Sequence, residues 1–308
     1  MLLKGVIDCP DLPLNVSRSA LQNDGFVRKI SDYITKKVAD KLSGMCKTDR
    51  ENYEKYWDDI NPFIKFGCIK DSKFNEKMKD FIIYKNLEGK YITLDDYLEA
   101  AKEKHENQVF YVTDEVQQSQ YINMFKEEGL DAVILKHNID QPFVTNLEQA
   151  KEGVSFKRID TDLADIFKEE TAEDEGKSLE ENTKTLTEIF KKALGKDNLT
   201  VKVEKLKNAD VSSMITLSEE SRRMQDMMKM YAMPGMDMSM FGGEGETLIL
   251  NANNDLVQYV LNNGDGENTE MICQQLYDLA LLAHKPLTAD ALTKFVERSN
   301  KIMRLLTK

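Results

Sequence analysis

The chain has 308 residues, 31% of them charged, and a formal net charge of −12. The acidic balance argues against nucleic-acid binding, which needs a basic face, while 41% hydrophobic residues are enough for a folded chain. The four scattered cysteines have no paired spacing and no apolar run has transmembrane length, so we expect no disulfide framework, no metal site and no membrane partner. These features predict a cytoplasmic protein of about two domains.

The first chemically suggestive stretch is a proline-containing loop at residues 8–25. Asn15 or Ser17 can cap a short helix that carries Arg18 and Gln22, and a spacing of four places these two side chains on one helical face. A guanidinium beside an amide is suited to contact with a phosphate. The alternative is a surface arginine in a salt bridge.

Three helices are predicted after this loop, because apolar residues recur at every third or fourth position. The first covers residues 26–43, the second opens with a capping box at residues 48–51, and the third covers residues 72–83. Trp57, the only tryptophan, is interpreted as a core or groove filler. The region is predicted to be a helical scaffold.

Strands and helices then alternate, after a short helix that Thr93 and Asp96 can cap. Strands are predicted at residues 109–112, 132–135 and 154–159, with helices at residues 114–128 and 142–150. This order predicts a small parallel sheet covered by helices. Because no glycine-rich turn follows the first strand, no phosphate site is expected there.

An acidic stretch at residues 168–181 predicts either an exposed linker or a frayed helix start, and we place a domain boundary within it. Beyond it, a helix is capped at residues 178–181 and ended by Gly195. Three strands that can form one sheet follow, at residues 199–206, 212–217 and 247–253.

A methionine-rich segment lies between the last two of these strands, and it holds eight of the fifteen methionines, from Met224 to Met240. Methionine is unbranched and adaptable and recurs on surfaces that accept many partners. The candidate binding residues are Met224, Met227, Met228, Met230, Tyr231 and Met233. Two alternatives remain open, an ordinary core helix and a Cu(I) site formed by Met236, Met238 and Met240, although no Cys or His lies nearby.

Two amphipathic helices close the chain, at residues 269–283 and 288–307. Each carries an apolar stripe that has few partners in so small a domain. Two copies of the hairpin can bury these stripes as a four-helix bundle, so the pattern predicts a homodimer. The candidate interface residues are Leu276, Leu279, Leu292, Phe295, Ile302 and Leu306.

The run GVIDCPDLPLNVSRSALQ, residues 5–22, resembles a segment late in the middle domain of the ninety-kilodalton heat-shock chaperones, whose bacterial branch is called HtpG. The order of the remaining elements is similar too, so the resemblance covers the whole chain. It implies that Arg18 reaches the γ-phosphate of ATP held by a separate N-terminal domain and that Gln22 supports it. The family's usual Glu after this arginine is Ser19 here, which puts the local salt-bridge pattern in doubt.

The resemblance also implies how the chain works. We expect a fragment without its nucleotide-binding domain, with no cofactor and no ATP hydrolysis of its own, whereas the intact family uses ATP and Mg. An alternative is that Arg18 and Gln22 act on a nucleotide domain supplied by another chain. The implied function is that of a stress-response chaperone, which binds unfolded or partly folded proteins as a homodimer.

The predicted fold class is mixed α/β (α+β). The helical connector is followed by a small three-layer αβα unit with a short parallel sheet and then by an α+β dimerisation domain. Residues 1–170 are assigned to the end of the middle domain, 171–182 to an acidic linker and 183–308 to the dimerisation domain. Within the first range, residues 1–24 are the catalytic-loop segment, 25–92 the helical connector and 93–170 the αβα unit.

Overall fold

The computed structural model describes residues 25–161, 167–169, 173–218, 246–305 and 307. The chain divides into two compact units, each with its own core. The first runs up to Tyr111 and resumes over Ala132–Phe156, and the second combines Val112–Asp131 with the chain from Lys157 onward. Helices and small sheets with parallel strands confirm the mixed α/β class, while the domain ranges given above remain predictions.

The first unit opens with the three helices that the periodicity predicts. They are α1 (Gly25–Thr48), α2 (Arg50–Lys70) and α3 (Ser72–Met78), the last followed by a 3-10 turn at Lys79–Phe81. The capping box predicted at residues 48–51 is wrong. Asp49 precedes α2 without a side-chain cap, and the Thr48 hydroxyl donates back to the carbonyl of Gly44 at 2.9 Å, which is a bond to the end of α1.

The core of this unit is built on α2. The Tyr53 and Trp57 rings lie 5.3 Å apart, and both side chains are almost fully buried, which confirms that the tryptophan fills the core. The Tyr53 hydroxyl donates to the carbonyl of Phe81 at 2.8 Å, so the buried phenol keeps a hydrogen-bond partner. Packing and this bond together fix α2 against the end of the 3-10 turn.

Two short strands that the periodicity did not predict follow. Strands β1 (Ile83–Lys85) and β2 (Tyr91–Thr93) pair as an antiparallel hairpin. Helix α4 (Leu94–Ala101) then begins with the predicted capping box. The Thr93 hydroxyl accepts from the Asp96 amide at 3.1 Å, and the Asp96 carboxylate accepts from the Thr93 amide at 3.1 Å.

The alternating segment forms its predicted strands and helices. They are β3 (Gln108–Val112), α5 (Ser119–Glu127), β4 (Val133–Ile134), α6 (Asp140–Ala150) and β5 (Ser155–Arg158). The strand order is β4–β3–β5, so the first strand in sequence is the central one. Strand β3 is accordingly buried over four of its five residues.

The second unit contains α7 (Glu173–Leu194), β6 (Thr200–Glu204), β7 (Ser213–Leu217), β8 (Glu246–Asn251), α8 (Asp255–Asn262), α9 (Thr269–Leu282) and α10 (Ala289–Leu305). Helix α7 begins before the predicted cap at residue 178, so part of the acidic stretch is helical. It ends at Gly195, whose φ of 62° suits glycine. Helix α8 was not predicted.

Strand β8 is the centre of the second sheet, parallel to β6 and antiparallel to β7. The core of the second unit includes four side chains that are at most 1% exposed, those of Leu186 and Phe190 in α7, Ile215 in β7 and Leu276 in α9. Within the parts of the chain that the structure describes, no helix has the length and apolarity needed to cross a bilayer.

Candidate functional site: the base of the methionine-rich segment

The register of β7 and β8 fixes where the methionine-rich segment is attached. Leu217 at the end of β7 pairs with Glu246 at the start of β8. Residues 218–245 therefore leave and re-enter the sheet at one place, next to the central strand. The two paired residues and the side chains that hold them are called the base here.

Strand β7 is held from several sides. The Tyr121 hydroxyl donates to the Ile215 carbonyl at 2.6 Å, and the Ser213 hydroxyl donates to the Leu276 carbonyl at 2.8 Å. All five β7 residues are buried. These bonds give hydrogen-bond partners to polar groups that are buried away from water. They also fix the position of the strand.

Charged groups hold the β8 side of the base. Glu246 forms an ion pair with Lys285, which lies just after α9. The Glu246 side chain is 12% exposed and that of Lys285 is 40% exposed. Thr161 forms a parallel bridge with Leu217, so the chain after β5 also reaches the base.

A buried charge cluster lies in the same unit. Two of its members are sequence neighbours of residues at the base, since Asp160 precedes Thr161 and His284 precedes Lys285. Arg158 donates to Asp160 twice, from Nε at 2.5 Å and from Nη2 at 2.9 Å. The Nδ1 atom of His284 lies 3.5 Å from the second Asp160 oxygen, and the side chains of Asp160 and His284 are 1% and 5% exposed. Burial by itself would raise the pKa of Asp160, but His284 and Arg158 outweigh it and hold that pKa well below 3.8.

Asn251 at the end of β8 completes the anchoring. Its Nδ2 donates to the carbonyls of Asn208 and Val211 at 2.9 and 2.8 Å, and its Oδ1 accepts from the amides of Leu206 and Asn253 at 3.0 Å each. The residue is fully buried. A single side-chain amide therefore satisfies three backbone groups of the connection between β6 and β7, those of Leu206, Asn208 and Val211.

Most of the binding residues predicted from sequence lie outside the described residues. These are Arg18, Gln22, Met224, Met227, Met228, Met230, Tyr231, Met233 and Leu306. Their roles stay predictions. Within the described ranges, no group of three or more His, Cys, Asp or Glu side chains is arranged to hold a metal ion.

The candidate interface residues divide by exposure. Leu276 is 1% exposed within the core, whereas Leu279 and Leu292 are 43% and 47% exposed. Phe295 and Ile302 are half-buried. Helix α10 has no buried residue among those the structure describes, so its apolar face, which includes Val296 at 49% exposure, meets solvent in this single chain.

Helix α10 is nevertheless held against α9 by a polar clamp. Arg298 donates from Nε to the Gln275 side chain at 2.8 Å and forms an ion pair with Asp278. A groove of about 860 Å³ runs beside the two helices. The clamp joins α10 to α9 by polar contacts, while the exposed apolar side chains of α10 are not used in it.

Sequence reasoning missed the buried cluster and the ion pair at the base. Arg158 and Asp160 are close in sequence, but His284 is remote, and no periodicity connects them. An Arg-x-Asp at the end of a predicted strand, residues 158–160, was the available signal. It could indicate a local charge pair but could not identify the third member.

The sequence matches known proteins along its whole length. A family model described as Hsp90 protein matches residues 1–308. The chain is 37% identical over 282 residues to the chaperone protein HtpG of Porphyromonas gingivalis, covering 87% of this chain and 40% of that protein. It is 35% identical over 278 residues to the HtpG of Bacteroides fragilis, and this match covers 86% of this chain and 40% of that protein. It is 27% identical over 314 residues to the HtpG of Rickettsia bellii, and this match covers 98% of this chain and 49% of that protein. The chain thus spans less than half the length of these relatives.

Proposed function

Because this chain belongs to the Hsp90 family, we propose that it is the part of a chaperone that holds unfolded or partly folded proteins. The methionine-rich segment is the contact surface. Thioether side chains adapt to many apolar shapes, so they suit partners whose exposed sequences differ. The relatives named above are chaperone proteins by name, and the proposal extends that activity to this chain.

The pairing of Leu217 with Glu246 is the observation that supports this proposal most directly. It makes residues 218–245 one insertion between adjacent strands of a buried, well-bonded sheet. The eight methionines within it are therefore carried by a fixed base. Binding residues are commonly carried by segments that a rigid scaffold positions.

Self-association is the second part of the proposal. The exposed apolar side chains of α10 and of Leu279 would be covered by the same helices of a second copy. A dimer would then offer two methionine-rich segments to one partner. Two linked contacts raise the apparent affinity for a partner that exposes several apolar stretches.

Nucleotide use is proposed only for the longer protein. There, ATP would shift the dimer between arrangements that present the methionine-rich segments differently, and Arg18 and Gln22 would face the nucleotide from this part of the chain. We propose that residues 1–308 alone hold partners without hydrolysing ATP. The prediction for this chain is an ATP turnover rate at the level of the buffer, measured by phosphate release.

The experiment that tests the holding activity is suppression of aggregation of a thermally denatured model protein. The test variant carries serine at Met224, Met227, Met228 and Met230. A matched control carries serine at Arg222, Gln225, Asp226 and Lys229, which changes the same segment by the same number of positions without removing a methionine. Light-scattering mass and unfolding midpoint are measured on every sample.

The unmodified chain and the control should suppress aggregation, and the methionine variant should lose most of that effect at unchanged mass and stability. If the methionine variant protects as well as the control, or if the unmodified chain does not protect at all, the proposed surface is refuted. Equal losses in both variants would also refute it, because the segment would then act without regard to its methionines.

A further inference from the structure

Helix α2 of the first unit carries large apolar side chains on the side that faces solvent. Phe63 and Phe66 are 42% and 51% exposed, and Tyr56, two turns before Phe63, is 47% exposed. The opposite side of the helix bears the buried residues of the core, among them Trp57 and Ile64. Because residues three apart are neighbours on a helix surface, the two phenylalanines form one patch, and exposed apolar patches mark sites of association.

The core side of α2 holds this patch in place. Lys65 Nζ lies 2.5 Å from Asp140 Oδ1 of α6, and both side chains are at most 5% exposed. Pro62 lacks the backbone N–H that would bond to the Asp58 carbonyl, and the Asn61 side chain donates to that carbonyl instead, at 3.1 Å. The helix therefore continues through its proline, and the two phenylalanines are carried by a fixed element.

Two charged residues of opposite sign flank the phenylalanines. Asp59 lies one turn before Phe63, and Lys70 lies one turn after Phe66. At about 100° for each residue, these four side chains fall within about 60° of one another around the helix. Both charged residues are exposed, and neither forms an ion pair within the ranges that the structure describes. The four residues are called the outer face of α2 here.

The outer face has the same spacing in both directions, with opposite charges at its two ends. Its midpoint lies between Phe63 and Phe66. When a second copy of α2 lies antiparallel across a two-fold axis at this midpoint, Asp59 of each copy meets Lys70 of the other. Phe63 of each copy then meets Phe66 of the other. One arrangement therefore forms two pairs of opposite charge and two aromatic pairs, whereas parallel helices would place like charges together.

We propose that the outer face of α2 is a contact between two copies of this chain, in which the two helices pack antiparallel. The contact extends over residues 59–70 of both copies, which is about 18 Å of helix. This length buries far less than the about 1,200–2,000 Å² of a stable interface, so the contact forms at high protein concentration. It is separate from the contact through α10 proposed above. A chain with two different two-fold contacts links its dimers into larger assemblies.

Sedimentation velocity over a series of concentrations measures this contact, because the weight-average mass rises as copies associate. For the unmodified chain we expect the mass to keep rising above about 10 μM, the range of a small interface. Phe63→Ser combined with Phe66→Ser should abolish this rise and leave the circular dichroism spectrum unchanged. Association through α10 is common to all the chains compared, so a difference in mass at equal concentration reports the contact through α2.

An exchange of charges tests the antiparallel register. Asp59→Lys places a lysine opposite Lys70 of the other copy, and Lys70→Asp places an aspartate opposite Asp59 of the other copy. Each variant alone should associate about tenfold more weakly, because both charge pairs of the contact become repulsive. An equimolar mixture of the two variants should associate as the unmodified chain does, since every pair in the mixed contact again joins opposite charges.

The matched control for the charge variants is Glu51→Lys. Glu51 is an exposed acid of the same helix, but it lies outside residues 59–70. The substitution changes the net charge by the same amount as Asp59→Lys does, and it should leave the association unchanged. Recovery on mixing is a further control, because mixing would not repair a change that had only disturbed the fold.

A mixture that associates no better than its two components would overturn the proposal. A loss of association in Glu51→Lys as large as that in Asp59→Lys would overturn it as well, because association would then follow net charge alone. A constant mass of the unmodified chain would overturn it in favour of a different protein as the occupant of the outer face. If the phenylalanine variant does not fold, the charge variants still decide, since both substitutions lie at exposed positions.

Discussion

Leu217 and Glu246 are directly paired at the end of an antiparallel ladder, although residues 218–245 separate them in sequence. The β7–β8 ladder is therefore paired up to the residues at which the segment begins and ends. Tyr121, Ser213 and Asn251 hold the neighbouring backbone with hydrogen bonds inside the same unit. We therefore expect that the segment can be changed without loss of the fold, and the first prediction tests this expectation.

Replacing residues 219–245 by a short Gly/Ser turn should leave a cooperatively folded chain. A shorter closed loop loses less entropy on folding, so the free energy of unfolding should rise by about 1–2 kcal/mol. Denaturant unfolding followed by circular dichroism measures this change. A matched variant keeps the natural length but replaces the segment with Gly and Ser, and it should show no such gain. A lower unfolding free energy in both variants would mean that the segment contributes to the core.

Asp160→Asn should destabilise the second unit by about 3–5 kcal/mol, because it leaves the Arg158 guanidinium without its buried carboxylate. Chemical denaturation at pH 7 measures the loss. Asp210→Asn, at an exposed position of the same unit, is the control and should change stability little. A loss no larger than that of the control would contradict the structural role assigned to the cluster.

The same carboxylate predicts a pH dependence. The folded-state pKa of Asp160 is held below its ordinary value of 3.8. The contribution of this carboxylate to the free energy of unfolding is therefore fully present above pH 3.8, and it is lost as the pH falls below that value towards the folded-state pKa. The unfolding free energy of the unmodified chain should therefore drop more steeply below pH 4 than that of Asp160→Asn. Parallel curves for the two proteins would show that Asp160 does not titrate as described.

The two closing helices contain both exposed and buried leucines, and substitutions at the two kinds of position should have different effects. Leu292→Glu combined with Val296→Glu should convert a dimer to a monomer in light scattering while leaving the circular dichroism spectrum of the folded subunit nearly unchanged. Leu276→Ala should instead cost about 2–5 kcal/mol, because Leu276 is 1% exposed in the core. If the double variant keeps its dimer mass, α10 does not form the interface.

The thiols provide a test that needs no substitution. Burial raises the pKa of Cys68 and of Cys273 to about 12, and the thiolate is the form that reacts with iodoacetamide. Cys46 is partly exposed. In a short pulse at pH 8 followed by peptide mass analysis, Cys46 should be alkylated well before Cys68 and Cys273. Denatured chain is the control, in which Cys46, Cys68 and Cys273 should react at similar rates, and equal rates for these residues in the native chain would contradict the burial.

Sequence patterns predicted the elements whose periodicity is long enough to be distinctive. Helices α1 and α2 and the apolar runs of β3 and β8 are such cases. Strands β1 and β2 have three residues each, too few to establish an alternation. Helix α8 has eight residues, and its one local signal was Asn254, whose side chain accepts from the Leu256 amide.

The candidate site shows a different limit. The methionine-rich composition identified the segment, and the flanking strands were predicted, but the register that pairs Leu217 with Glu246 depends on packing across the sheet.

The mixed pairing of β8 has a mechanical consequence. A force that pulls the two ends of residues 218–245 apart would act on β7 and β8 at the same end of their antiparallel ladder. The hydrogen bonds between these two strands would then open one after another. The ion pair between Glu246 and Lys285 is positioned to resist the first step of that opening. The parallel β6–β8 ladder would instead be loaded in shear, with its bonds bearing the force together. Tension on the segment would thus peel away β7 before it separated β8 from β6.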